Sequence, residues 1–249
     1  MLSKSQISLL TSLQHKKFRQ QSGLFLVEGY KSIIEFVNSP YRIQTIYHTP
    51  GIASKLLNLS RKINFQEIST AELQKISTLK NPADAIAAVY IPQWAGFSDA
   101  DLKNKHSLVL DGVQDPGNMG TIIRTADWFG ITNIICSEDT VDAYNPKVVQ
   151  ATMGSLARMN ISYTDLKEFL RSADLPVYGA LLNGESIYDV DFGKEALIVM
   201  GNEGNGIRPD IQQLIQHPVT IPRVGGAESL NVAIATAIFC AKLAAKSFQ

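Results

Sequence analysis

The chain has 249 residues, 45% of them hydrophobic and 18% charged, with 23 basic side chains balancing 23 acidic ones to zero formal charge. That length suits one large or two ordinary domains with well-filled cores, and the apolar content excludes a disordered chain. No run of eighteen apolar residues occurs and the N-terminus has no continuous apolar stretch, so neither a membrane span nor a signal peptide is expected.

Taken in chain order, the first half alternates helical and extended patterns. A short amphipathic helix over about 4–13 leads into the basic stretch HKKFRQ and an extended run, LFLVEG. A helix at YKSIIEFVN, a strand at RIQTIYHT, a helix at ASKLLNL, a strand at KINFQEI and a helix at TAELQKIS follow, closed by a strand at AIAAVYI. This alternation reads as a small α/β layer structure over 1–95. The segment 91–105, with Pro92, Gly96 and many polar residues, reads as an inter-domain linker.

Over 106–249 strands recur at SLVLD, TNIICS, RMNISY, LPVYGAL, ALIVMG and HPVTIP. Helical stretches at GTIIRTADWFG, NPKVVQATMGSLA, TDLKEFLRSA and RPDIQQLIQ separate them, and a long helix follows Ser229. Near-continuous apolar strands between helices indicate a buried, mostly parallel sheet. Cys136 and Cys240 both sit in apolar patterns and read as small core side chains of a reduced, cytoplasmic protein; no metal-ligand spacing is present, so no metal is expected.

The zero net charge conceals a division. Residues 1–95 carry 11 Lys and Arg against 5 Asp and Glu, whereas 96–249 carry 12 against 18. The basic half points to an acidic partner, nucleic acid first, with Lys16, Lys17 and Arg19 as candidate contacts. Charge alone is equally consistent with solvated surface lysines.

Three loops at strand ends carry the chemistry: LVLDGVQDPGNMGTIIRTA (108–126), LIVMGNEGNGI (197–207) and VTIPRVGGAESLNVAIATA (219–237). In a parallel sheet such loops converge on the edge where open α/β folds hold ligands. Asp115-Pro116-Gly117 marks a turn, after which Asn118 lies near a helix start, as a cap or a functional amide, and Arg124 about two turns in. The glycines of GNEGNG permit close backbone approach, but their G-x-x-G-x-G spacing is neither a dinucleotide fingerprint nor a P-loop. Ser229 reads as the N-cap of the last helix, and Asn231 intrudes an amide into its apolar start. Singly, each loop is equally an ordinary turn.

Jointly and in this order, the three loops resemble the signature motifs of the SpoU (TrmH-type) RNA ribose 2′-O-methyltransferases of the SPOUT superfamily. KKFRQQSGLFLVEGYKSIIE resembles that family's N-terminal RNA-substrate-binding domain. The resemblance implies an α/β C-terminal domain over 106–249 with a deep trefoil knot and a smaller N-terminal α/β domain over 1–95. It implies S-adenosylmethionine bound in the knot at Gly201, Ile221 and Leu230, with Arg124 as the catalytic residue. Asn118, Glu203, Ser229 and Asn231 match the remaining polar motif positions, expected to orient the ribose, Arg124 and the knot loops, and Asn145 is expected to line the same cleft. It further implies a homodimer and an RNA substrate, ribosomal in preference to transfer RNA. A tRNA 2′-O-methyltransferase and a catalytically inactive RNA-binding homologue are the alternatives.

Overall fold

The computed structural model describes residues 1–56, 59, 63–93 and 96–245. The chain forms two compact units, Met1–Gln93 with Asp142–Ala157, and Trp94–Val141 with Arg158–Gln249. The units are therefore not contiguous halves of the chain: an internal segment of the second half packs with the first.

In the first unit, α1 (Lys4–Ser12), α2 (Lys16–Ser22), β1 (Leu24–Glu28), α3 (Tyr30–Val37), β2 (Ile43–His48), α4 (Ala53–Leu56), β3 (Phe65–Glu67), α5 (Thr70–Ile76) and β4 (Ala85–Tyr90) follow in order. The strands form a sheet in the order β1-β4-β2-β3, antiparallel except for β2 with β3. Alternation along β1 divides its side chains between two faces. Leu24 and Leu26 join Leu10, Leu13, Leu73 and Ile76 in one core cluster, whereas Phe25 meets Phe36, Tyr41 and Tyr144. Of the helix expected at ASKLLNL, Leu57 and Asn58 lie outside the described residues.

The basic stretch HKKFRQ is a helix, and it corrects one expectation. Lys16 and Lys17 are exposed, but Arg19 is 2% exposed. Its guanidinium binds Asp142 Oδ2 through Nε at 3.0 Å and Nη2 at 2.6 Å, and donates to the carbonyls of Leu13 and Gln14 at 2.8 and 3.0 Å. Four of its five N–H donors are engaged within the unit and the group is buried, so it is not presented to an RNA phosphate. Arg19 is a structural residue of this unit, not an RNA contact.

The second unit contains α6 (Asp99–Leu102), β5 (His106–Leu110), α7 (Pro116–Trp128) and β6 (Asn133–Ser137). The chain then visits the first unit through α8 (Pro146–Ala151) and returns as β7 (Asn160–Thr164), α9 (Leu166–Ser172), β8 (Val177–Ser186), β9 (Ala196–Met200), α10 (Pro209–Gln212), β10 (His217–Thr220) and α11 (Val232–Ala244). The six strands form a wholly parallel sheet in the order β10-β8-β9-β5-β6-β7. Every residue of β6 and β9 is buried, as expected where helices cover both faces.

Val109, Ile135, Leu197 and Val199 share one core cluster with Leu102, Leu166, Leu170 and Ile211 from α6, α9 and α10. The expected linker thus contains a short helix whose Leu102 is buried in this core; Trp94 and Ala95 of that linker lie outside the described residues. Cys136 and Cys240 are buried, and burial pushes the Cys240 thiol up to about 12. Among the described residues no helix is long and apolar enough to cross a membrane.

Candidate active site

Because the sheet is parallel, the loops after β5, β9 and β10 leave from one edge. Side chains tie the second and the third to the first. The first loop ends in a helix start: Asp115 caps α7 by accepting from Asn118 N at 2.8 Å, and Pro116 occupies the first turn, where no N–H is needed. Met119, Ile122, Ile123 and Ala126 form the buried stripe of α7, which leaves Asn118 and Arg124 off the core.

Asn118 is the centre of a relay. Its Nδ2 donates to Glu203 Oε1 at 3.0 Å, and its Oδ1 accepts from Asn231 Nδ2 at 3.0 Å. The orientations are forced, since a carboxylate only accepts and the N–H groups facing Asn231 Oδ1 only donate. Those N–H groups belong to Ala233 and Ile234, at 2.9 and 3.3 Å. Asn231, not Ser229, is therefore the N-cap of α11. The polar intrusion into an apolar helix start is explained: one end of the amide caps, and the other binds the first loop.

Glu203 also accepts from the backbone N–H of Asp115 and Gln114, at 3.1 and 3.3 Å. Partial burial alone would raise this carboxyl; the bonds from Asn118 and the backbone amides outweigh it and hold Glu203 below the ordinary carboxyl value. Beside it, Asn202 donates to the Gly112 carbonyl at 2.6 Å and accepts from Gly204 N and Asn205 N at 2.8 and 3.1 Å. Backbone bonds between Asn202 and Gly206 close this loop on itself. At Gly201 a side chain has no room: a Cβ would lie 2.3 Å from the Gly206 carbonyl carbon.

A cleft of about 580 Å³ opens beside the relay, lined by Gly201 to Gly206, by Ile221, Arg223, Ser229 and Leu230, and by Met200, Leu181 and Phe239. Its volume and its mostly apolar walls with a few polar groups are those of a small-molecule site. Of the residues singled out from the sequence, Gly201, Glu203, Ile221, Ser229 and Leu230 come together here. Asn118 and Asn231 brace the cleft without lining it. Ser229 makes no hydrogen bond among the described residues.

Two sequence candidates are not brought to the cleft. Arg124 is exposed on α7, makes no hydrogen bond or ion pair among the described residues, and is not part of the lining. Asn145 caps α8 by accepting from Lys147 N at 2.9 Å, belongs to the first unit, and is not among the residues that line the cleft. Sequence reasoning in turn missed Asn202 and the buried Asp111. Asp111 follows an apolar strand with no local sign of a partner, because that partner, Arg208, is 97 residues away.

Comparison with known proteins places this geometry in a family. Residues 105–241 match the model of the SpoU rRNA Methylase family, and residues 4–87 match the MRM3-like substrate binding domain. The chain is 30% identical to the 23S rRNA (guanosine(2553)-2′-O)-methyltransferase RlmP of Bacillus subtilis, over 91% of this chain and 90% of that protein. Among solved structures, a TrmH-family protein from Porphyromonas gingivalis superposes with a TM-score of 0.88 at 39% identity, covering 97% of this chain and 98% of its own. The AdoMet-bound rRNA methyltransferase of Sinorhizobium meliloti gives a TM-score of 0.86 at 28% identity, covering 100% and 98%. The chain belongs to the SpoU rRNA methylase family.

Proposed function

We propose that this chain is an S-adenosylmethionine-dependent methyltransferase that methylates a ribose 2′-hydroxyl in 23S-type ribosomal RNA, acting as a cytoplasmic homodimer. The observation that carries the reading is the relay Asn231–Asn118–Glu203, which binds three distant loops around one cleft of ligand size. Residues 1–95 are the RNA-capturing domain in this reading and 106–249 the catalytic one. The deep trefoil knot is part of this reading through family membership, and the Gly-rich loops at 201–206 and 225–226 are compatible with its tight backbone crossings.

The cleft residues fit the donor. Ile221 and Leu230 offer apolar walls for an adenine ring, and the Gly201 to Gly206 backbone comes close because no side chain fits at Gly201. When bound, S-adenosylmethionine supplies an electrophilic methyl group. The chain's own task is to position the ribose oxygen in line and to relieve its developing negative charge.

Arg124 is the residue assigned to that charge. A guanidinium with a pKa above about 12 is a poor proton acceptor, so its role is to hold the neighbouring phosphate and stabilise the forming alkoxide. Its guanidinium has no partner among the described residues, which leaves its donors available. Since it does not line the cleft of its own chain, the reading has Arg124 of one protomer serve the cleft of its partner. Exposed Trp128 and Ile234, on α7 and α11, supply apolar surface for that association.

The experiment is methyl transfer from labelled S-adenosylmethionine into ribosomal and transfer RNA from cells lacking the protein. Label in ribosomal RNA supports the proposal, label in transfer RNA moves the substrate, and label in neither with donor bound leaves an inactive RNA-binding homologue.

A further inference from the structure

Asp111 and Arg208 lie outside the cleft lining, and neither belongs to the relay. Asp111 is the first residue beyond β5, and its side chain is wholly buried. Its carboxylate accepts from Arg208 N at 2.7 Å, from Arg208 Nε at 2.7 Å and from Arg208 Nη2 at 2.6 Å. Its own backbone N–H donates to the Met200 carbonyl at 2.9 Å. Met200 is where the 201–207 loop leaves β9, and Arg208 is where that loop ends. One aspartate therefore holds both ends of the loop that lines the cleft.

We infer that the Asp111–Arg208 pair is a clip that keeps the 201–207 loop in the form that binds the methyl donor, which makes both of them positioning residues for the proposed reaction. The inference rests on the methyltransferase reading. Asp111 is wholly buried but the Arg208 side chain is 47% exposed, so solvent screens part of the attraction while the carboxylate still pays for its desolvation, and the pair is a poor choice for stability alone. What this pair adds is geometry. The backbone N–H and the planar guanidinium of one residue grip the two oxygens of one carboxylate, which fixes main chain and side chain together. Asp139, 3.9 Å from Arg208 Nη1, sets the guanidinium from its other side. Ile207, next to Arg208, is anchored in the sheet core, which leaves 201–206 to line the cleft.

The test uses the full chain with Arg208→Gln, Arg208→Lys and Asp111→Asn. Donor affinity is measured by calorimetry, KM and kcat by methyl transfer, and amide exchange of 202–206 without donor. Arg208→Gln is expected to raise Kd and KM for S-adenosylmethionine about tenfold or more while kcat at saturation stays within about threefold. The 202–206 amides should exchange faster, and Arg208→Lys, which keeps the charge but loses the fork, should fall between. Folded variants with wild-type affinity and unchanged exchange would overturn the inference. So would a fall in kcat at constant KM, or failure of all three variants to fold, which would make the pair a stability element. Absence of donor binding by the wild-type chain would instead sink the methyltransferase reading, while the exchange rates would still report whether the clip holds the loop.

Discussion

Asn231 Nδ2 lies 3.0 Å from Asn118 Oδ1, across 113 residues of sequence, and this bond joins the start of α11 to the start of α7. Asn118 passes the connection on to Glu203. The relay tolerates no second charge at its centre. Asn118→Asp would set two carboxylates against each other and raise the pKa of one of them. Methyl transfer by Asn118→Asp should fall at least tenfold near pH 8 and recover partly toward pH 6, as the pair takes up a proton. A flat ratio to wild type across that range would contradict the relay's role.

Glu203 gives a stability prediction with a definite sign. Its native carboxyl is held below the ordinary value of 4.5, so its contribution to stability is complete above that pH and is lost as the pH falls through the lower native value. Thermal unfolding of wild type should lose ground to Glu203→Gln below about pH 4.5, and hold an advantage above it. Parallel Tm profiles for the two proteins would show that the carboxylate is not stabilised in the fold.

Much of this architecture was legible beforehand. The run ALIVMG is apolar at every position because the sheet is covered on both faces, and the loop after it, GNEGNG, is rich in Gly and Asn where the backbone must turn tightly. What stayed hidden is set by distant partners. Arg19 sits in a run of basic residues and looks solvated; its ion-pair partner, Asp142, is 123 positions away. Residues 142–157 continue an α/β pattern without a break, so nothing local shows that they pack with the first unit. Ser229 and Asn231 are both good caps by type, and the choice falls to Asn231 because its second polar end finds Asn118.

The division between Arg19 and its lysine neighbours can be measured. Arg19→Ala leaves the Asp142 carboxylate, only 15% exposed, without its cation and two backbone carbonyls without their donor, and should cost about 3 kcal/mol. Reversing Lys16 and Lys17 to Glu should leave stability within about 0.5 kcal/mol, yet weaken RNA binding and shrink its salt slope by about 0.7–0.9 per lysine. Equal effects of all three residues on RNA affinity, with no loss of stability at position 19, would place Arg19 back among the contacts.

Gly201→Ala isolates the cleft loop. The added methyl would sit 2.3 Å from the Gly206 carbonyl carbon and 2.4 Å from Ile207 N, both backbone atoms, so the loop has to open. Calorimetry should show S-adenosylmethionine affinity reduced at least tenfold. Unchanged affinity would mean the donor binds elsewhere.

The most direct measurement compares wild type with Arg124→Ala, using labelled S-adenosylmethionine and ribosomal RNA, nucleoside mass spectrometry for the product and calorimetry for the donor. Wild type should yield a nucleoside methylated on the ribose 2′-oxygen, and Arg124→Ala should yield none while binding the donor with nearly wild-type affinity. A base-methylated product, or a variant that loses donor binding and turnover in equal measure, would contradict the account.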